Sequence, residues 1–307
     1  MENFEPTSLE LTKFKVFYQP KVCVYTGRCK AAEALVRWTG EKQRGDSPAV
    51  FIPMMERNGT IEALTNHVIS SVCQDIHYIR KVNGSCPIIA INIPPILLES
   101  EGFTARLVSL LETHGIEPSE IEVEITESIN LSYVKNSKNY DPLETFEQME
   151  RSIQAVIAEA KNLYSAGFSI ALDDFGTGQN GLRYFATIRA SSVKIDRFFT
   201  LSISEEAKAQ ELNTCAQTVS IVIDAARKRG MKSVVEGVEN ETQLRQILNI
   251  GCDEIQGFLF SKPLEIEEFA KFSYEHSTNP HQVMVDIGLQ SRTPHQQDFL
   301  GRRFAAA

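Results

Sequence analysis

Glu33, Glu124, Asp173, Asp174 and Glu236 each stand at the end of a short apolar run, where a turn residue would ordinarily be found. The runs are Cys29-Lys30-Ala31-Ala32-Glu33, Ile121-Glu122-Val123-Glu124-Ile125, Phe168-Ser169-Ile170-Ala171-Leu172-Asp173-Asp174 and Lys232-Ser233-Val234-Val235-Glu236. If these runs are parallel strands of one barrel, their C-terminal ends gather on one face, and carboxylates distant in sequence meet in one pocket. Such a cluster must be neutralised by protons or by cations, and divalent metal ions are its commoner resident. Asn92 adds an amide within the apolar run Ile88 to Ile93, and Lys194 adds one cation behind Val193. Oxygen donors without His or Cys favour Mg²⁺ or Mn²⁺ over zinc. Five carboxylates and Lys194 sum to a formal −4, which two divalent ions would cancel. Arg37, two alternations beyond Glu33, points to the same strand face, and its planar guanidinium suits a phosphate diester. Each residue also has a local alternative. A strand-end acid caps a helix or a turn, Asn92 satisfies a backbone group, Lys194 snorkels to the surface and Arg37 makes a surface ion pair.

The elements that must position these groups follow from periodicity. Phe14 to Gln19 and Lys21 to Tyr25, parted by Pro20, read as β structure, and Thr26-Gly27-Arg28 turns into the next strand as a hairpin. Apolar residues recur at helical spacing from Ile61 to Val82. Strand and helix then alternate. Strands are expected at Ile88 to Ile93, Ile121 to Thr126, Phe168 to Asp173, Ser192 to Asp196, Lys232 to Glu236 and Asp253 to Phe260. Helices are expected at Gly102 to His114, Leu143 to Ser165, Glu205 to Arg229, Glu241 to Ile250 and Glu265 to Tyr274. Near-continuous apolar strands separated by amphipathic helices predict a parallel sheet buried on both faces, here a single closed α/β barrel of TIM type. The expected division is a stub at 1–12, the barrel at 13–275 and a polar tail at 276–307. A polar loop from Ile129 to Pro142 interrupts the rhythm at a strand's C-terminal end.

Length and composition narrow the function. The 307 residues, 42% hydrophobic, suffice for one large core. A net charge of −9, with no Lys/Arg block, argues against duplex DNA or RNA as a partner. Six cysteines without a C-x-x-C pair fit a reduced, cytoplasmic protein. No run of about 18 apolar residues exists, so no membrane span is expected.

Glu33-Ala34-Leu35-Val36-Arg37-Trp38 resembles the signature of EAL-domain cyclic di-GMP phosphodiesterases. The resemblance continues in order through Tyr18-Gln19-Pro20, Phe51-Ile52-Pro53, Asn92, Glu124-Ile125-Thr126-Glu127-Ser128 and Asp173-Asp174-Phe175-Gly176-Thr177-Gly178. It then takes in Val193-Lys194-Ile195-Asp196, Val235-Glu236-Gly237-Val238-Glu239 and Gln256-Gly257-Phe258, so that it covers about Phe14 to Pro263. It implies a bacterial (β/α)8 barrel with its first strand reversed, opening cyclic di-GMP to linear pGpG. It implies that Asp173 bridges two Mg²⁺ or Mn²⁺ ions, Glu33, Asn92 and Glu124 completing one and Asp174 and Glu236 the other; Ca²⁺, larger and looser in its geometry, is expected to bind yet inhibit. Lys194 would act on the nucleophilic water or the developing oxyanion. For Glu236 both a base role and a ligand role stay open. Gln19, Leu35, Arg37, Glu239 and Gln256 would hold substrate or bound water. Gly176 and Gly178 would form a mobile loop pinned by Glu127, and a homodimer would be coupled to it. The rival reading is a catalytically silent EAL module that binds cyclic di-GMP or a protein; a hydrolase acting on another phosphodiester is a third. Departures from the pattern fall at Gln179-Asn180-Gly181, at Pro94 and in the Ile129 to Pro142 insertion, and none removes a ligand position.

Overall fold

Period-two alternation along the strands separates a face that meets helices from a face that meets the barrel lumen. The computed structural model describes residues 11–40, 47–126, 142–178, 180–201 and 209–278. Eight strands close in chain order: β1 (Phe14–Cys23), β2 (Cys29–Trp38), β3 (Ile88–Asn92), β4 (Ile121–Thr126), β5 (Ser169–Phe175), β6 (Ser192–Ile195), β7 (Lys232–Val235) and β8 (Glu254–Ile255). β1 is antiparallel to both of its neighbours, and every other pair is parallel. Around the barrel lie α1 (Pro48–Asn58), α2 (Ile61–Asn83), α3 (Pro95–Leu98), α4 (Phe103–Thr113), α5 (Pro142–Ser165), α6 (Gly181–Thr187), α7 (Arg197–Leu201), α8 (Ala209–Lys228), α9 (Glu241–Ile250) and α10 (Ile266–Thr278). This is a TIM-type barrel with its first strand reversed.

The outward faces carry Ile89, Ile91, Val123, Ile125, Ile170, Leu172 and Val193, which pack with Leu64, Val68 and Val72 of α2 and Ile153, Val156 and Leu163 of α5. Each such side chain contributes roughly 1.5–3 kcal/mol by leaving water. The opposite parity fills the lumen with long polar chains, and small residues stand beside them: Lys21 pairs in register with Ala31, Glu122 with Ala90, and Glu124 with Ala171. Bulk next to a small neighbour lets the lumen close without overlap.

Several expectations change. Pro20 does not part β1, since it pairs with Ala32 inside one continuous strand. β8 is two residues long rather than running to Phe260. The chain turns at Gly257, where a Cβ would lie 2.2 Å from the Val238 carbonyl oxygen. Gly181, one of the departures from the family pattern, opens the short helix α6 and is buried. α10 continues to Thr278, past the helix expected to end at Tyr274. The segment 129–141, Glu127 and the tail from 279 lie outside the described residues.

Candidate active site

The C-terminal ends of the parallel strands form one mouth, and the acids gather there because each ends its strand on the lumen parity. Asp173 and Asp174 are adjacent, so a regular strand would aim them at opposite faces. The β5–β6 register slips between Leu172 and Phe175, and Asp174 takes φ 52°, the one positive φ outside glycine among the described residues. A bulge of this kind re-aims a side chain. The Asp174 amide donates to Asp173 Oδ1 at 2.9 Å, and Thr177 closes the turn onto the Asp174 carbonyl. Gly176, at φ 99°, follows because a Cβ there would meet the Phe199 ring at 2.7 Å.

Lys194 sits at the centre of the cluster. Its Nζ lies 2.8 Å from Asp173 Oδ1, 2.9 Å from Glu236 Oε1, 3.0 Å from Glu124 Oε2 and 3.2 Å from Glu33 Oε2, with its side chain only 1% exposed. Two carboxylate triads flank it. Glu33, Glu124 and Asp173 offer oxygens within 4.8 Å of one another, as do Asp173, Asp174 and Glu236. Asp173 belongs to both, so this oxygen-only donor set fits two hard divalent cations sharing one ligand.

The electrostatics of the chain's own groups are uneven. Burial pushes Glu124 up to about 8, with Glu33 adding to it and Lys194 and Lys21 opposing. Burial also carries Glu236 to about 8 against the pull of Lys194, and takes Asp174 to about 6, helped by Asp173. Glu33 goes the other way. Burial opposes ionisation there, but Lys194, Lys21 and the amides of Gln256 and Asn92 hold it at about 2. Lys194 is held as an ammonium well above the ordinary lysine range, its four acids outweighing its burial.

A pH dependence follows. In the cation-free protein Glu124 and Glu236 hold protons more tightly than free glutamates, and a divalent ion must compete with those protons. Mn²⁺ affinity should therefore rise with pH to about 8 and then level off, with proton release on binding. The same raised carboxyls bind more protons folded than unfolded between their ordinary pKa and about 8, so cation-free stability falls as pH rises through that window. Calorimetric Mn²⁺ titrations at four pH values check this; an affinity flat from pH 6 to 9 would contradict it.

The sequence profile of the EAL domain matches residues 5–263. The chain belongs to the EAL-domain family. Among its relatives, the bifunctional diguanylate cyclase/cyclic di-GMP phosphodiesterase MucR of Pseudomonas aeruginosa is 28% identical over 261 residues, 85% of this chain and 34% of MucR. The cyclic di-GMP phosphodiesterase PA2567 of the same organism is 29% identical over 256 residues, 83% of this chain and 39% of that protein. A solved structure of the PaMucR phosphodiesterase in complex with c-di-GMP superposes with a TM-score of 0.70 at 28% identity, covering 85% of this chain and 96% of that one. The chain thus spans little more than a third of the length of these two curated relatives.

Within this EAL domain, the other expected residues divide. Asn92 donates to Glu33 Oε1 at 2.7 Å, and Gln256 donates to Glu33 Oε2 at 2.7 Å and to Gln19 Oε1 at 3.2 Å. The side-chain amide oxygen of Gln256 is buried without a hydrogen-bond partner among the described residues. Leu35 and Arg37 line an apolar cleft of about 280 Å³ beside Asn92, walled by Ile52, Pro94 and Thr126. Glu239 is exposed on the loop after β7 and is not part of either triad. Gly178 stands in the turn after β5.

Sequence reasoning missed three supports. Lys21 and Glu122 form a buried pair deep in the lumen, so Lys194 is not the sole cation at the strand-end acids; the two added charges cancel and the formal −4 stands. The signal was the i, i+2 spacing of Glu122 and Glu124 and of Gln19 and Lys21. Thr200, fully buried, donates to the Glu236 carbonyl at 2.6 Å and fixes the start of the loop that bears this acid. No motif marked it.

Proposed function

We propose that this EAL domain is a metal-dependent phosphodiesterase that opens cyclic di-GMP to linear pGpG. The observation that carries the reading is the pair of carboxylate triads sharing Asp173 around the buried Lys194. Glu33, Asn92, Glu124 and Asp173 would hold one Mg²⁺ or Mn²⁺ ion, and Asp173, Asp174 and Glu236 the other; when bound, the two ions supply positive charge to the phosphodiester and acidify a water. Lys194 donates hydrogen bonds to oxygens that gain charge as phosphorus is attacked. Glu236, at the mouth 2.9 Å from Lys194, would serve as a ligand and accept the proton of the attacking water. Arg37 faces a phosphate, the cleft beside Leu35 gives a base an apolar wall, and Gln19 and Gln256 hold polar edges of the substrate, the free Gln256 carbonyl oxygen accepting from it. Glu239 contributes from the rim.

The test is incubation of the purified protein with cyclic di-GMP and Mg²⁺, Mn²⁺ or Ca²⁺, followed by chromatographic separation of the products. Linear pGpG forms with Mg²⁺ and Mn²⁺. Ca²⁺, with its looser geometry, binds and inhibits. Intact cyclic dinucleotide in all three mixtures would leave a silent binding module in place of the enzyme.

The active form is a cytoplasmic homodimer whose interface includes the neighbourhood of the loop after β5. Exposed apolar chains support this: Leu182 on α6 is 80% exposed and Phe198 on α7 59%, and both helices follow adjacent strands at the catalytic mouth. Glu127 tethers the Gly176 and Gly178 loop. Specific activity should fall on dilution through the monomer–dimer transition, and Glu127→Ala should lower turnover; constant activity in a demonstrated monomer, with an unimpaired Glu127→Ala enzyme, would remove both couplings.

A further inference from the structure

Lys21 lies one alternation deeper in the lumen than Gln19, because β1 runs against the other strands and each step along it descends from the mouth. Its Nζ is 2.7 Å from Glu122 Oε1 and 2.7 Å from Glu124 Oε1, and its side chain is 1% exposed. These bonds cross the lumen from β1 to β4. The second oxygen of Glu122 accepts from Ser192 Oγ at 2.9 Å, and the second oxygen of Glu124 accepts from Lys194 Nζ at 3.0 Å. Every oxygen of both carboxylates therefore has its own donor. The β1–β2 register slips just after Lys21, between it and Val22, and Ala31 beside it leaves the room its chain occupies.

Barrel lumens of this type are ordinarily filled by layers of branched apolar side chains. A buried ion pair rarely exceeds apolar packing of the same volume in stability, because desolvation cancels the attraction. Stability therefore does not account for charges at this depth. What the pair does geometrically is plain. The terminal torsion of a glutamate is broad and poorly fixed by its own rotamer. Lys21 grips the deep oxygen of Glu124 and turns the other toward Glu33, Asp173 and Lys194.

We propose that Lys21, itself held by Glu122 and Ser192, is a positioning residue that fixes the Glu124 carboxylate for cation binding. It reaches neither the mouth nor the substrate, and among the strand-end acids its hydrogen-bond contact is with Glu124. The inference rests on the reading of Glu124 as a cation ligand.

The experiment is calorimetric Mn²⁺ titration of wild type, Lys21→Met and the charge-balanced double variant Lys21→Met/Glu122→Gln, each checked for folding by thermal melting. Lys232→Met, which breaks the Lys232–Glu254 lumen pair at the opposite end, is the control. Loss of Lys21 should weaken Mn²⁺ binding about 10–100-fold, the usual effect of removing a partner that orients a ligand. The control should keep wild-type affinity. At saturating Mn²⁺ the Lys21 variants should regain most of their turnover, with KM for cyclic di-GMP unchanged. Wild-type Mn²⁺ affinity in a folded Lys21 variant overturns the proposal, and so does failure of the double variant to fold, since either makes the pair part of the fold alone. A wild type that binds no Mn²⁺ overturns the cation site itself and this inference with it.

Discussion

Asp173→Ala should abolish hydrolysis of cyclic di-GMP and leave the barrel folded. Asp173 is the one residue common to both carboxylate triads, and it also lies 2.8 Å from Lys194. Its removal takes a ligand from each cation position together, whereas Glu33→Ala takes one from a single position. The loss should exceed the about 10–100-fold that follows removal of an outer partner of a metal ligand. The fold should survive because the side chain faces the mouth, while the outward residues Ile170 and Leu172 of the same strand carry the packing. Rate and thermal melting, measured on one preparation, check this. Activity within a few-fold of wild type would mean that Asp173 merely turns the chain into the Gly176 loop.

Lys194→Ala should separate chemistry from binding. The Lys194 ammonium touches Glu33, Glu124, Asp173 and Glu236, and on the proposed function it would balance charge as the phosphodiester is attacked. Loss of a donor to developing charge costs about 10²–10³ in kcat. KM should change little. Without divalent ions the variant should also lose thermal stability, since removing one partner from a buried ion cluster costs about 3–5 kcal/mol. Added Mn²⁺ should restore much of that stability without restoring kcat. A rise in KM at unchanged kcat would instead make Lys194 an anchor for a phosphate.

The meeting of Glu33, Asn92, Glu124, Asp173, Asp174, Glu236 and Lys194 was legible because each stands at or near the end of an apolar run, and a closed parallel sheet brings such ends together. The barrel was legible from runs like Ile88 to Ile91, too apolar for one-sided burial, recurring between amphipathic helices. What escaped the sequence depends on geometry between strands. Lys21 looks like any strand lysine until β1 is known to be reversed, which places it below Gln19 and across from Glu122 and Glu124. The shared direction of Asp173 and Asp174 depends on a bulge and a left-handed backbone, and two adjacent acids do not announce either. α6 and α7 are too short to show a helical period, and α1 carries Pro53 in its interior, which reads as a helix breaker. β8 is held at two residues by the backbone contact at Gly257, which no apolar pattern records.

The central claim, two cation positions sharing Asp173, is tested most directly by counting Mn²⁺ bound per chain at saturation, above the pH of about 8 at which Glu124 and Glu236 shed their protons. The account predicts two ions in the wild type and one in Asp174→Ala, whose substitution spares the triad of Glu33, Glu124 and Asp173. A wild-type count of one or none, or an unchanged count of two in Asp174→Ala, would contradict it.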